Sequence, residues 1–332
     1  MKNFKFMILI ILLAFSLPYM YGGCVVVYSS DGFDRNQDQK DDESSQGYAG
    51  LTTQAAITQM NAEALAAGAF AGGQSSVASQ SLKMSQGSIS AQIDVFRPLR
   101  YPLVLVESLH RIESDAELNI SGLSNVVTES NNLESSCGGE LTYTLTFDRM
   151  SGNFSGDLLF VDYCDDGIVI SGETDVDGTF EVSSGVFVTA TFSFDDLSDE
   201  FHTLDGEITL DLSDTPLCLT FTAYSKDNQT GEVYWLKNYS INLFEFFDRV
   251  EIETFGTFYH PDNGFVTVTT SEPFLVYEDD DWPASGQLLI KGGSDTAAHL
   301  IAMDQSHYKI EADTDGDGLF EWDSGMLNWT DL

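Results

Sequence analysis

The sequence predicts a mainly β fold: an antiparallel meander, either a sandwich or an open, barrel-like sheet, with an N-terminal helical segment packed on it. Three observations lead there. From Leu141 onward the apolar residues recur with a period of two, as in Leu141, Tyr143, Leu145 and Phe147 set against Thr142, Thr144, Thr146 and Asp148. That alternation marks a strand buried on one face. The segments that show it are short and are separated by turn formers such as Ser151-Gly152, Asp165-Asp166-Gly167 and Asp262-Asn263-Gly264, which reverse the chain within a few residues. No helical stretch lies between successive strands, as the crossovers of a parallel sheet would require.

The first element in chain order is residues 1–23. Lys2 and Lys5 open it, an apolar run covers 6–18, and Tyr21-Gly22-Gly23-Cys24 closes it. That is the layout of a bacterial lipoprotein signal peptide, with cleavage before Cys24 and acyl chains such as palmitate added at that residue. Tyr21 stands where such signals usually carry Leu. Residues 4–28 are also long enough to be an uncleaved anchor, but Gly22-Gly23 and the polar stretch after Tyr28 argue against it. The expected location is the cell envelope, lipid-anchored at the outer membrane, facing the periplasm or the outside.

Residues 24–50 read as an acidic flexible tether, charged by Asp31, Asp34, Asp38, Asp41, Asp42 and Glu43; like charges extend such a linker. Residues 51–136 form a helical and loop segment. Ala55, Ala56, Ile57, Met60, Ala64, Leu65 and Ala67 suggest a helix over 51–70, stopped by Gly72-Gly73. Leu103, Val106, Leu109 and Ile112 suggest a second helix, beginning only after Pro102. Residues 137–332 form the β domain, with strands expected at 141–147, 153–163, 167–172, 179–182, 187–194, 207–212, 217–224 and 232–236. Further strands are expected at 240–247, 250–258, 265–269, 287–290, 300–303, 308–312 and 319–322.

The chain holds 53 acids against 14 bases, a formal net charge of −39, and loss of residues 1–23 would remove two lysines and no acid. Such a field repels nucleic acid and anionic lipid, which excludes nucleic-acid binding. It suits divalent cations, a cationic partner, or plain solubility. With 42% of residues hydrophobic and 12% aromatic, the chain is not a disordered polyanion. A porin-like membrane barrel also alternates in period two, but here Asp and Glu occupy many outward positions, which lipid tolerates poorly.

Four cysteines occur. With Cys24 assigned to lipid, Cys137 and Cys164 are expected to pair, because each sits at a glycine-containing turn and the strands between them return the chain. Closing that loop stabilises by roughly 3–4 kcal/mol in the chain-entropy model. Cys218 is left as a buried thiol, behaving as a small hydrophobe.

The clearest chemical constellation is 313–321, Asp-Thr-Asp-Gly-Asp-Gly-Leu-Phe-Glu. Ca²⁺ is a hard cation that takes six to eight oxygens, and carboxylates at alternate positions on a tight turn supply several. The expected ligands are Asp313, Asp315, Asp317, the Leu319 carbonyl and Glu321. The twelfth loop position, where an EF-hand has its bidentate Glu, is Ser324, and the flanks read as strands, so this is no EF-hand. Two weaker acidic loops are read at 173–178 and 278–281.

Catalytic signatures are missing. The histidines at 110, 202, 260, 299 and 307 form no H-E-x-x-H, and no G-x-S-x-G elbow, Walker loop or G-x-G-x-x-G occurs. An enzyme would need His, Asp and Ser brought into one cleft by the fold.

The run Phe160-Val161-Asp162-Tyr163-Cys164-Asp165-Asp166-Gly167 with Gly172, together with residues 311–318, resembles uncharacterised β-rich envelope lipoproteins of Gram-negative bacteria. The likeness covers about 137–332 and the signal, and implies no activity, substrate or catalytic residue. The sequence therefore points to a membrane-anchored lipoprotein with a non-catalytic binding or structural role, calcium-stabilised at the Asp-rich turn. Its protein or ligand partner is unknown. The rival reading is a carrier of lipid or another apolar ligand, its cavity lined by aromatics such as Trp235, Phe244, Phe246, Phe247 and Phe255.

Overall fold

The structure is a computed structural model that describes residues 47–72, 100–115, 125–135, 137–165, 167–213, 216–277 and 280–332. The expected signal peptide, the lipidation site Cys24 and most of the tether lie outside those residues. Among the described residues no helix is long and apolar enough to cross a membrane.

Among the described residues, two α-helices and one antiparallel sheet make up the body. The helices are α1 (Ala62–Phe70) and α2 (Arg100–Asp115). The first eight strands are β1 (Val126–Glu134), β2 (Glu140–Asp148), β3 (Asn153–Asp165), β4 (Ile168–Phe180), β5 (Phe187–Ser198), β6 (His202–Asp211), β7 (Leu217–Asp227) and β8 (Val233–Glu245). The rest are β9 (Arg249–His260), β10 (Gly264–Tyr277), β11 (Ser285–Lys291), β12 (Ala297–Asp304), β13 (His307–Asp313), β14 (Trp322–Asp323) and β15 (Leu327–Asn328). Strands β1 to β14 pair in chain order, and β15 also pairs with β13, giving an open 15-stranded meander. The predicted fold class is the one observed.

Alternation sets which face is buried. On β2 the predicted residues Leu141, Tyr143, Leu145 and Phe147 all face the core. The core face continues through Phe160, Phe192, Ile208, Phe221, Ile241, Phe258 and Ile310, and the helices lie against it. From α1 come Leu65, Ala66, Ala69 and Phe70; from α2 come Tyr101, Val104, Leu105, Leu109 and Ile112. Buried hydrogen bonds fix both helices. Tyr239 donates its hydroxyl to the Ala69 carbonyl (2.6 Å), and Tyr101 donates to the His202 carbonyl (3.1 Å). Fully buried, the Tyr239 phenol is pushed well above its ordinary pKa by desolvation.

The sheet bends along a line of bulges. Asp162, Asp196 and Asn238 stand at left-handed φ of 48°, 60° and 48°, beside register shifts in β3/β4, β5/β6 and β8/β9. Glycine meets two of these bends on the neighbouring strand. A Cβ on Gly206 would lie 2.4 Å from the Thr222 carbonyl oxygen, and one on Gly256 would lie 2.6 Å from that of Asn238. Bulges with facing glycines bend and twist an antiparallel sheet, so several strands expected as two pieces run through the bend as one.

Five local expectations change, the first being the strand expected at 319–322, which is only Trp322–Asp323 because 319–321 belong to the Asp-rich turn. The sheet begins at Val126, earlier than residue 137; β1 is missed because one face is exposed, the other only half-buried, and its sequence shows no clean apolar alternation. Residues 173–178 are not a loop but the middle of β4, where Thr174 and Val176 face inward and Glu173, Asp175 and Asp177 face out. Helix α2 starts at Arg100 and carries Pro102 in its first turn, where no intrahelical N–H is needed. Of residues 51–70 only 62–70 are helical. The stretch before them runs beside β10, with Gln54 bridged to Phe265, and Ile57 donates its amide to Thr296 Oγ1 (2.8 Å).

Candidate functional site

The 313–321 constellation forms the long turn from β13 to β14, closed by the Ala312–Trp322 pair. Strand β13 delivers Asp313 as its last residue, 2% exposed. Its two carboxylate oxygens accept the amides of Gly316 (2.7 Å) and Gly318 (2.8 Å). Asp315 accepts the amide of Asp317 (3.2 Å), and Asp317 that of Leu319 (2.8 Å). These are side-chain-to-backbone turns of the kind that Asp favours. Gly316 has φ 79°, and a Cβ there would sit 2.5 Å from the Ser294 carbonyl oxygen. The turn therefore lies tight against the loop between β11 and β12.

The result is three carboxylates, Asp313, Asp315 and Asp317, each with an oxygen within 4.8 Å of the others, one buried and two exposed. The carboxylate of Glu321 is not part of this group. Glu321 instead accepts the amide of Thr314 (2.8 Å) and its hydroxyl; those bonds, the hydroxyl first, hold its carboxyl below the ordinary value. Leu319 is 68% exposed. Each amide bond uses one lone pair of a carboxylate oxygen that has two, so the trio retains acceptor capacity for a cation.

Cys137 and Cys164 are joined, with Cα atoms 5.3 Å apart, as expected. Cys164 also donates its amide to the Gly138 carbonyl (3.0 Å). Cys218 is buried, as expected for a small hydrophobe, but it is not the free thiol expected.

The five histidines fall in separate places. His110 pairs with Glu113 on α2, His299 stacks on Phe320 (4.3 Å), and His307 sits 2.9 Å from Asp304. His260 meets the edge of Tyr234 (5.5 Å), and burial lowers its pKa. His202 is 6% exposed, with Nδ1 3.7 Å from Asp199 Oδ1. Burial pushes the Asp199 carboxyl up, but His202 and the amides of His202 and Phe201 outweigh that and hold it below its ordinary value.

The aromatics proposed to line a cavity do not face the core. Trp235 belongs to a separate cluster on the outer face with Tyr48 and Tyr259, stacked 4.3 Å from the latter. Phe244 and Phe255 share that outer face through the pairs Phe244–Glu251 and Ser240–Phe255. Phe246 is 41% exposed at the β8–β9 turn, and Phe247 is fully exposed there. Alternation on β8 and β9 is broken by the Asn238 bulge, which hides this placement from the sequence.

No protein-family model, curated protein or solved structure matches this chain. The resemblance to envelope lipoproteins therefore rests on the turn motifs and the N-terminal signal alone.

Proposed function

We propose that the chain is an envelope lipoprotein, anchored through Cys24, whose body is a non-catalytic binding or structural scaffold stabilised by calcium at the β13–β14 turn. The observation that carries this reading is the carboxylate trio. Asp313, Asp315 and Asp317 converge within 4.8 Å on a turn whose backbone is already braced by their own hydrogen bonds. Like charges this close repel one another, and a hard cation relieves that repulsion while taking their free lone pairs. The site is partly exposed and completes its shell with water or the Leu319 carbonyl, so the affinity belongs to the millimolar class of extracellular modules. The anchor is supported by the 1–24 layout, and an oxidising compartment by the Cys137–Cys164 bond.

Thermal unfolding of the full chain in EDTA and then in millimolar Ca²⁺ tests the calcium part. A ligand that binds only the folded state at ten times its Kd contributes about 1.4 kcal/mol, a rise of a few degrees at this size. The rise is expected in the wild type and absent in Asp315→Ala/Asp317→Ala. An unchanged melting temperature in millimolar calcium overturns it. Mass spectrometry of the mature N-terminal peptide tests the anchor: acylated Cys24 is expected, and a peptide in which Cys24 is disulfide-linked to Cys218 overturns it.

A further inference from the structure

The long edge of the sheet, β1, is built to be paired. It spans nine residues without a proline or a register shift against β2. Arg149 donates to the Asn125 carbonyl and Ser135 to that of Gly139, one at each end of the pair. The odd-numbered residues of β1 therefore bond to β2, and Val126, Thr128, Ser130, Asn132 and Glu134 turn their backbone groups outward. The Glu134 carbonyl is taken by Arg111 (3.1 Å), and the Asn132 amide by the Asn131 side chain (2.8 Å). Among the described residues nothing meets the outward N–H and C=O of Thr128 and Ser130. Such an edge is a template for another strand.

We propose that its occupant is β1 of a second copy, paired antiparallel about a two-fold axis at Ser130 to make one continuous sheet. The strand is self-complementary in that register. Ser130 is its midpoint, so Thr128, Ser130 and Asn132 meet their counterparts in register. Val127 lies opposite Leu133′ twice, and both are half-buried on the core side. Thr128 lies opposite Asn132′ and Ser130 opposite Ser130′, on the outer face that already carries the hydroxyl pairs Thr128–Thr146 and Ser130–Thr144 (3.0 Å each). Glu129, the inward-pointing acid that would guard an edge, falls opposite Asn131′ rather than its own copy. Ser130 exchanges two backbone bonds with Ser130′. Thr128 N–H meets the Asn132′ carbonyl twice, and two more bonds form once the Asn131 side chain releases the Asn132 amide. One strand edge is a small interface, and each copy carries a formal charge of −39. Association is therefore weak at low ionic strength and strengthens as salt screens the repulsion, and confinement to a membrane raises the effective concentration.

The full chain in detergent is measured by sedimentation at low and high salt, beside Ser130→Pro. Proline at Ser130 removes only an outward N–H, which an edge strand tolerates, so the monomer keeps its fold. The expected result is a dimer whose Kd falls at least tenfold from low to high salt in the wild type, and monomer only in Ser130→Pro. Register is read separately by oxidation of Ser130→Cys and Thr128→Cys chains and non-reducing electrophoresis. Ser130→Cys is expected to cross-link to its own copy, because opposed Cα atoms of a hydrogen-bonded pair lie about 5.5 Å apart, and Thr128→Cys is not. Three outcomes overturn the proposal: a wild type that is monomeric at both salts, a dimer that persists in Ser130→Pro, or equal cross-linking at both positions. Protected Thr128 and Ser130 amides in a monomer would mean that the chain itself, for instance residues 116–124, fills the edge.

Discussion

The two edges of this sheet are finished in opposite ways. At the C-terminal edge, Tyr308, Ile310 and Ala312 of β13 are each met from outside. Leu327 pairs with Tyr308 and Trp322 with Ala312; between them Ser324 donates its amide to the Ile310 carbonyl and accepts the Ile310 amide on its hydroxyl (2.9 Å each). Trp329 then folds over this edge, wholly buried, stacked on Tyr308 (4.6 Å), Phe70 (5.1 Å) and Trp282 (5.4 Å), with Nε1 donating to the Asp304 carbonyl. At the N-terminal edge β1 has a ladder of hydroxyls on one face and half-buried Val127 and Leu133 on the other. The contrast teaches that an edge is closed less by strand length than by irregularity: two strands of two residues each shut β13, while nine regular residues leave β1 available.

Three variants test that contrast, in falling order of effect. Trp329→Ala removes the ring on which three aromatics converge, and about 3–5 kcal/mol should go with it, read by denaturant unfolding. A loss under about 1 kcal/mol would show that backbone pairing, not the stack, closes this edge. Replacing Cys137 and Cys164 together by Ser frees the β1–β2 turn from β3. The expected cost is roughly 2–4 kcal/mol, with amide exchange rising first in β1 and β2 and last in β13. Uniform loss of protection would mean that the two edges are one cooperative unit. The smallest effect belongs to Glu321. Its carboxyl is held below 4.5 by Thr314, so its contribution is present above that value and fades as pH falls through the lowered one. Glu321→Gln should melt slightly lower than wild type at neutral pH, with the gap closing in acid. A gap that is the same at pH 7 and pH 3 would refute the assignment.

Legibility in the sequence followed the same divide. Strand β2 could be read directly, because one face is buried and the other wet, and that is what a period of two records. Strand β1 could not, since its inner face carries only two apolar residues, the half-buried Val127 and Leu133, too few to mark a period of two. The acids of β4 mimic a loop because Glu173, Asp175 and Asp177 are outward neighbours of inward Thr174, Val176 and Gly178, and Gly178 is small because a Cβ there would sit 2.0 Å from the Thr189 carbonyl oxygen and against the Phe154 ring. The Asp-rich turn was legible as a cluster, since alternate Asp residues with glycines can only fold back on themselves. Which carboxylates converge was not: Glu321 turns away because Thr314 offers it two donors. Nothing in the local pattern reveals the outward placement of Trp235 and Phe244, which the bulge at Asn238 decides.

Because each strand pairs with the one made just before it, the sheet can grow by addition, with little loop-closure entropy at each step. Ile57 and helix α1 cannot take part in that growth. Helix α1 rests on β9, β11, β12 and β13, and the Ile57 amide finds its acceptor, Thr296, only 239 residues later. Until the last strands arrive, one broad apolar surface stays open to solvent and to any holding chaperone. Ile57 and α1, early in the sequence, reach their final contacts only once the last strands are in place.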